Sequence, residues 1–353
     1  MHLAYWSIAQ TKDRETEASG LGWELFKNYL IAKEKWKPDY FLYENNVSAD
    51  WKIKAQIKHE FGVTDAEQID MFTDDTGVRY TEINSALLSA QNRARFYVTN
   101  FGDIEQPKDR GILLKDILEN KCEMQTTEPV RPFVIRDKAR TLIAGYAMAG
   151  ARNSRKDIES NGFLGSQGVI EPIRVGSMPR PNSEISESQT LNTMANENYM
   201  VSANGKKYPI YEVKDGKITI KGKQYPIRLV DGYYIIRKLT VRECMRLQTV
   251  PEWYVFPVSD SQAYKMLGNG WTVEVIKHLL SHIPNIQNEE VEVLSMYDGM
   301  ACGMIALKEM GVNVVKYTAY EIDKYAIQTA TYNFPEIIEK GDAFQVREDG
   351  WQP

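Results

Sequence analysis

A short glycine-bearing loop, Asp298-Gly-Met-Ala-Cys-Gly303, stands between a strand-like run, Val291–Tyr297, and a helix-like run, Met304–Met310. Glycines at such a junction let a ligand approach backbone amides at a helix N-terminus, where unpaired N–H groups favour polar and anionic groups. The next strand-like run, Val314–Tyr320, ends in Glu321. It lies about twenty residues further on, where a strand-end carboxylate can take two ribose hydroxyls. Together these features point to a nucleoside-type ligand; the plainer alternative is a tight β-α turn with a solvated acid.

Four further blocks carry polar chemistry: Tyr43-Glu44-Asn45 at a strand end, Gln91-Asn-Arg-Ala-Arg95, Arg242-Glu-Cys-Met-Arg-Leu-Gln248, and Gly268-Asn-Gly270. Singly, each has a structural explanation. Glu44 reads as a solvated strand-end acid, Arg93 and Arg95 as a surface face, Arg242 to Gln248 as a capped helix, and the Gly-Asn-Gly as a turn. His278 and His282 stand four apart on a predicted helix. With no third ligand nearby a packed or solvated helix face is the better reading, and no metal is expected.

The elements that must hold these residues alternate at first. Gly22 to Lys35 has amphipathic helical spacing, Asp39 to Glu44 reads as a buried strand, and Trp51 to Phe61 as a second helix. From about Glu119 the text turns rich in Gly, Ser, Asn and Pro, with short strands, and Ser177 to Asn198 is polar enough for a loop. Lys214-Asp-Gly-Lys217 is a hairpin turn between Tyr208–Val213 and Ile218–Ile220. Helix returns after Leu239, with Thr240 as N-cap and Glu243 completing a capping box. A second helix is expected over Trp271–His282, then a polar connector, Pro284 to Glu290, and the β-α-β unit that carries the glycine loop.

The chain has 353 residues, enough for one large domain carrying a smaller one. No apolar run approaches the ~18 residues of a membrane helix, and the N-terminus lacks the order of a signal peptide. Three scattered cysteines, Cys122, Cys244 and Cys302, make neither a disulfide framework nor a zinc knuckle and read as buried thiols of a reducing cytoplasm. The net charge is −5, which argues against coating nucleic acid by bulk charge. Between Asn204 and Arg246, however, 11 Lys and Arg meet 4 Asp and Glu, an excess of +7, interleaved with tyrosines. Such a stretch is either a solvated hairpin face or a local phosphate-contacting surface.

Read together, Glu44-Asn, Gln91-x-Arg-x-Arg95, a variable region, Arg242-Glu-x-x-Arg-Leu-Gln248, Gly268-Asn and Leu294-Ser-Met-Tyr-Asp-Gly299 resemble the motifs of the DNA cytosine-C5 methyltransferases. The likeness covers nearly the whole chain, with one rearrangement: the glycine-loop block, usually first in that family, follows the Gly-Asn block. In the family fold these two blocks are neighbours, so a connector of some seven residues, at up to ~3.5 Å each, can join them. The resemblance implies an α/β, Rossmann-like methyltransferase domain formed by residues 1–118 and 247–353. It also implies a β-rich target-recognition domain inserted over 119–246. S-adenosylmethionine would be the cofactor and double-stranded DNA the substrate, as in the DNA methylation of restriction-modification systems, in a bacterial or virus-encoded cytoplasmic protein. Tyr297, Asp298, Gly299 and Gly303 would shape the cofactor loop, Glu321 would hold the ribose, and Ile322 would lie on the adenine. Asp342 would accept from its amino group, and Asn269 and Thr272 would line the methionine end. Glu44 would bind N3 and the amino group of a flipped-out cytosine, with Arg93 and Arg95 holding the base. Gln91, Arg237, Arg242, Lys221 and Lys223 would contact DNA.

The family's nucleophile is the cysteine of a Pro-Cys pair ahead of a segment resembling Tyr5-Trp-Ser-Ile-Ala-Gln10. Here Leu3 takes the cysteine's place and His2 the proline's. The apolar strand that leads into Pro-Cys is also absent from these residues. The expectation is therefore a sheet with a central gap, unpaired backbone on both sides, and a Pro-Cys segment supplied by a second chain or a missing stretch. The alternative is a protein that binds cofactor and DNA without catalysis.

Overall fold

The computed structural model describes residues 6, 14–63, 75–119, 137–142, 169–173, 200–203, 206–220, 222–227 and 229–348. Its strands form three sheets.

The first is antiparallel, with β1 (Leu42–Asn46), β2 (Arg79–Asn84) and β3 (Ala94–Thr99) in the order β1-β3-β2. Strand β1 begins three residues later than the sequence pattern suggests, because Pro38 and the turn after it consume Asp39 and Tyr40. Helices α1 (Gly20–Trp36) and α2 (Trp51–Phe61) pack on it. The Asp50 carboxylate caps α2 through Lys52 N, and Gly62, at φ +64°, ends it in the left-handed region. Trp23, Phe26, Phe41, Tyr43, Phe61 and Phe96 bury their rings together at this interface. Each aromatic pair adds about 0.5–1.5 kcal/mol beyond its buried area.

The second sheet comprises β4 (Val169–Ile173), β5 (Met200–Ala203), β6 (Lys206–Lys214), β7 (Lys217–Ile220), β8 (Lys223–Pro226) and β9 (Gly232–Arg237), ordered β4-β9-β6-β7-β8 with β5 beside β6. Asp215 and Gly216 both have positive φ, 50° and 68°, the geometry of a two-residue type I′ hairpin. Tyr211, Val213, Ile218, Ile220, Tyr234 and Ile236 give this sheet a core of its own.

The third sheet is parallel: β10 (Glu290–Met296), β11 (Asn313–Tyr320) and β12 (Ile338–Glu339). Between the second and third sheets run three helices, α3 (Val241–Leu247), α4 (Asp260–Asn269) and α5 (Val273–Leu280). Within the third sheet lie α6 (Cys302–Glu309) and α7 (Lys324–Asn333). The capping box is present: Thr240 accepts from Glu243 N, and Glu243 from Thr240 N. Helix α4 was not anticipated, and it turns the Gly-Asn-Gly block from an isolated turn into a helix C-terminus. The expected domain boundary at 246 falls inside α3. Leu239, Cys244 and Met245 already pack in the main core, so the chain has rejoined it by Leu239.

Among the described residues no strand joins the first and third sheets. Among the described residues β1 pairs only with β3, and β10 only with β11. Trp6 lies in a 3-10 turn and not in a strand, and Leu3 and His2 lie outside the described residues. Among the described residues no strand lies between β1 and β10.

Candidate functional site

A cavity of about 1000 Å³ occupies the gap, bounded by β1 and α1 on one side and by β10 and the glycine loop on the other. Its lining includes Glu44, Asn269, Tyr297, Asp298, Gly299, Gly303 and Glu321, so one base-binding candidate and six cofactor candidates converge there.

On the β1 side, Glu44 is buried at 5% exposure. Its Oε1 lies 2.9 Å from Arg95 Nε, and its Oε2 accepts from Trp271 Nε1 at 3.2 Å. Trp271 was not singled out in the sequence, although it directly follows Gly268-Asn-Gly270. Glu44, Arg95 and Trp271 thus form a fixed carboxylate whose two oxygens already have donors.

Arg93 is not a surface residue. It is 3% exposed, and its guanidinium donates to the carbonyls of Leu142 (3.1 Å), Gly268 (3.3 Å) and Gly270 (2.8 Å). Helix C-terminal carbonyls lack intrahelical donors, and Arg93 supplies them at the end of α4. Burial lowers its pKa to about 9, with Arg95 adding repulsion. Its place is therefore to hold the Gly268–Gly270 turn. Thr272 likewise turns away from the cavity: its hydroxyl bonds Gln248 Oε1 and Ser85 Oγ, both at 2.9 Å. Gln248 Nε2 in turn donates to Leu267 O at 2.6 Å, which ties α3 to α4.

On the β10 side, Tyr297, Gly299 and Ala301 have positive φ, 63°, 63° and 58°. Two of these are non-glycine residues in the left-handed region, a strain that clusters at ligand loops. A Cβ on Gly303 would come within 3.1 Å of the Tyr317 hydroxyl, so only glycine fits there without movement. Glu321 is 4% exposed and accepts from Gly299 N, Ile322 N and Asp323 N at 2.7–2.9 Å. Asp298 Oδ1 accepts from Ser295 Oγ and Tyr317 OH, while Oδ2, also buried, has no partner among the described residues. Burial raises the Asp298 carboxyl to about 6, with Glu321 adding repulsion. Glu339 on β12 has neither oxygen partnered among the described residues, and burial with repulsion from Asp298 and Glu321 lifts it to about 7. Sequence spacing offered no signal for Glu339, which is brought to the other acids by β11–β12 pairing.

Ile322 is half exposed beside this acid group but outside the cavity lining, as is Asp342, which caps a 3-10 turn over Ala343–Arg347 through Phe344 N. Neither described cysteine offers a ready thiolate. Cys302 and Cys244 are buried, and burial pushes Cys302 up to about 12 and Cys244 well above its ordinary value. Cys122 lies outside the described residues.

The expected DNA contacts divide. Arg237 is corrected: it is 8% exposed and makes a bidentate pair with Glu243, at 2.8 and 2.9 Å. Breaking such a pair costs more than a phosphate contact returns, so its place is structural. Glu243 also takes the backbone N–H of Glu119 and of Thr240. Gln91 is fully buried, and neither polar side-chain atom has a partner among the described residues. Arg242 is exposed but pairs with Glu119 and Glu252. Lys223 is exposed on β8, while Lys221 lies outside the described residues. His278 and His282 bond the carbonyls of Glu105 and His278. No described helix is long and apolar enough to cross a membrane.

Among known proteins, the family model for C-5 cytosine-specific DNA methylase matches residues 4–285. The glycine-loop sheet begins at Glu290, after the matched span. The type II methyltransferase M.HpaII of Haemophilus parainfluenzae is 25% identical over 272 residues, covering 71% of this chain and 62% of that protein. The chain thus spans less than two thirds of that relative's length. M.DsaV of Dactylococcopsis salina is 56% identical over 41 residues, 12% of each chain. A crystal structure of Spodoptera frugiperda DNMT2 shares 16% identity over 74% of this chain and 70% of its own, with a TM-score of 0.35. Since the family model matches well over half of its length, this chain belongs to the C-5 cytosine-specific DNA methylase family.

Proposed function

We propose that the protein is the cofactor-binding and base-binding part of a DNA cytosine-C5 methyltransferase, and that methyl transfer requires a thiol from outside the described residues. The observation that carries this reading is the convergence of Glu44, itself paired with Arg95, with the Asp298–Gly303 loop and Glu321 on one cavity.

The residues present fit S-adenosylmethionine. The loop needs glycine at 303, Glu321 stands at the strand end, and the buried Asp298 Oδ2 lacks a partner among the described residues. When bound, the cofactor supplies an electrophilic methyl on a sulfonium. Tyr297, Gly299 and Gly303 shape its loop, Glu321 and Asp298 hold polar groups, and Asn269 lines the far side. Ile322 and Asp342, which stand outside the lining, would meet the adenine only where it reaches beyond the cavity, Ile322 as an apolar face and Asp342 as an acceptor.

Cytosine C5 is a weak nucleophile inside a base stack, so the base must leave the helix. Glu44, held by Arg95 and Trp271, would donate a proton to N3 and accept from the amino group of the flipped base, which favours addition at C6. A thiolate would add to C6 and push the C5–C6 π pair onto C5; that pair would take the methyl as the methyl–sulfonium bond breaks to leave a neutral thioether, and a base would remove the C5 proton as the C6–sulfur bond breaks to release the thiolate. Arg93 serves by fixing the Gly268–Gly270 turn. The six-stranded sheet, with Lys223 and Arg242 exposed near it, is the surface offered to double-stranded DNA.

The burial of Cys302 and Cys244 favours a second reading, a protein that binds cofactor and DNA without catalysis. Transfer of labelled methyl from S-adenosylmethionine to mixed-sequence unmethylated DNA, scored as 5-methylcytosine, separates them. No transfer is expected from this chain alone; cofactor binding by calorimetry is. Absence of cofactor binding would sink both readings.

A further inference from the structure

Trp271 lines the cavity where its base side meets its cofactor side, and the backbone on both flanks of this residue is fixed. Before it, Gly270 N donates to Met266 O at 2.7 Å, and Gly270 O accepts from Arg93 Nη2 at 2.8 Å. After it, the Thr272 hydroxyl bonds Gln248 Oε1 and Ser85 Oγ, and Val273 N donates to Gln248 O at 2.9 Å. A side chain that leaves so constrained a backbone is closely placed.

The indole has two contacts of different kinds. Its Nε1 donates to Glu44 Oε2 at 3.2 Å, and across the ring Cζ3 would lie 3.9 Å from a Cβ on Gly303. The turn before the ring packs on the same loop. A Cβ on Gly270 would meet Cys302 Sγ at 3.2 Å and Met300 Sδ at 3.5 Å, so the loop approaches this closely because the residue is glycine. Cys302 Sγ also lies 3.8 Å from Trp271 O, as a weak donor.

A buried tryptophan needs some acceptor for its N–H, and a backbone carbonyl would serve. Here the acceptor is a buried carboxylate of the cavity wall. Arg95 Nε fixes the other oxygen, Oε1, at 2.9 Å. One donor would leave the carboxylate free to turn about that contact; a second donor on Oε2 sets its plane. A single planar side chain therefore reaches from the base carboxylate to the cofactor loop.

We propose that Trp271 is a positioning residue that couples the two halves of the site: its indole sets the plane of the Glu44 carboxylate, and a cofactor seated on the glycine loop holds the indole. The proposal rests on the reading that the loop takes S-adenosylmethionine and Glu44 a base. A ligand beside Gly303 removes the room into which the ring can turn, so the bond from Nε1 to Oε2 opens less often. Coupling between two sites is reciprocal. A Glu44 that releases the indole therefore weakens the hold of the loop on its ligand.

The test uses the full chain and S-adenosylhomocysteine, whose uncharged sulfur makes its binding largely independent of the Glu44 charge. Affinity is measured by calorimetry for the unaltered chain, Glu44→Gln, Trp271→Phe and the double variant. In Glu44→Gln the Arg95 guanidinium claims the one carbonyl oxygen, so the amide nitrogen faces Trp271 and the indole loses its acceptor. Each single variant should weaken binding at least about threefold, and the double variant no more than Trp271→Phe alone, because both changes break one link. Effects that multiply, or no effect of Glu44→Gln, would overturn the proposal. A measurement on the unaltered chain covers a variant that does not fold. Its Trp271 indole N–H, followed by NMR, should exchange with water at least about tenfold more slowly once S-adenosylhomocysteine is bound. Unchanged exchange at saturation would overturn the proposal as well. Failure of the unaltered chain to bind S-adenosylhomocysteine would overturn the cofactor reading and the coupling together, whereas binding with independent effects overturns the coupling alone.

Discussion

The two sides of the cavity handle charge in opposite ways. On the β1 side each buried ion has its counterpart: Glu44 has Arg95 and Trp271, and Arg93 has three carbonyls. On the β10 side Asp298, Glu321 and Glu339 repel one another, and the first and third hold oxygens with no partner among the described residues. The first arrangement is complete before any ligand arrives; the second is improved by a ligand that brings positive charge or donors. A site can thus be preorganised for a base on one side and electrostatically short of a cofactor on the other.

The sharpest way to break this contrast is to remove charge from each side in turn. Arg93→Met leaves the carbonyls of Leu142, Gly268 and Gly270 without their donor, and a buried unsatisfied group costs about 1–3 kcal/mol. A loss of about 3 kcal/mol or more in urea denaturation is expected; a neutral result would show that these carbonyls find other donors. Asp298→Asn should act the other way, leaving stability unchanged or higher because a desolvated, repelled acid has gone. Its cost should fall on cofactor affinity, about tenfold to a hundredfold by calorimetry, the value of a charge-assisted hydrogen bond. Equal destabilisation by both substitutions would remove the distinction.

Proton linkage gives a smaller effect. Asp298 and Glu339 are raised to about 6 and about 7, so between the ordinary carboxylate range and about pH 7 the folded state binds more protons than the unfolded one. Their contribution to stability is full at the acid end and is lost as pH rises through those values. A positively charged ligand favours the ionised acids, so S-adenosylmethionine should bind several-fold more tightly at about pH 8 than at about pH 5. Calorimetry showing a flat or reversed profile would separate the acid pair from cofactor binding. The smallest effect is outside the cavity: Lys223→Ala should lower DNA affinity evenly across sequences and reduce the salt slope by about 1. Stability should stay within about 0.5 kcal/mol, so a sequence-selective loss would make Lys223 a base contact instead.

Local devices were the most legible in the sequence. The Asp215-Gly216 turn, the Thr240–Glu243 box and the glycine loop all act over a few residues, so spacing alone announces them. What sequence spacing could not give was the partner of a buried charge. Arg237 looks like a phosphate contact until β9 brings it to Glu243, and Arg93 like a base clamp until α4 ends against it. Glu339 sits in a two-residue strand with no pattern to read, and only β11 places it beside Asp298. Helix α4 was missed because its apolar positions, Ala263, Tyr264, Met266 and Leu267, are too few and too clustered to show a clear period.

Glu243 has one more implication, a mechanical one. The segment that leaves the core at Glu119 and the strand that returns at Arg237 are both fastened to this buried side chain, the first through its N–H and the second through its guanidinium. Between those two attachments the chain is fastened once more, where Ala139 and Leu142 pack in the main core and Lys138 donates to the carbonyls of Ala86, Ser89 and Ile112. Force applied to the six-stranded sheet by a bound duplex would reach the core through both moorings, so the sheet is braced against turning about Glu243 alone.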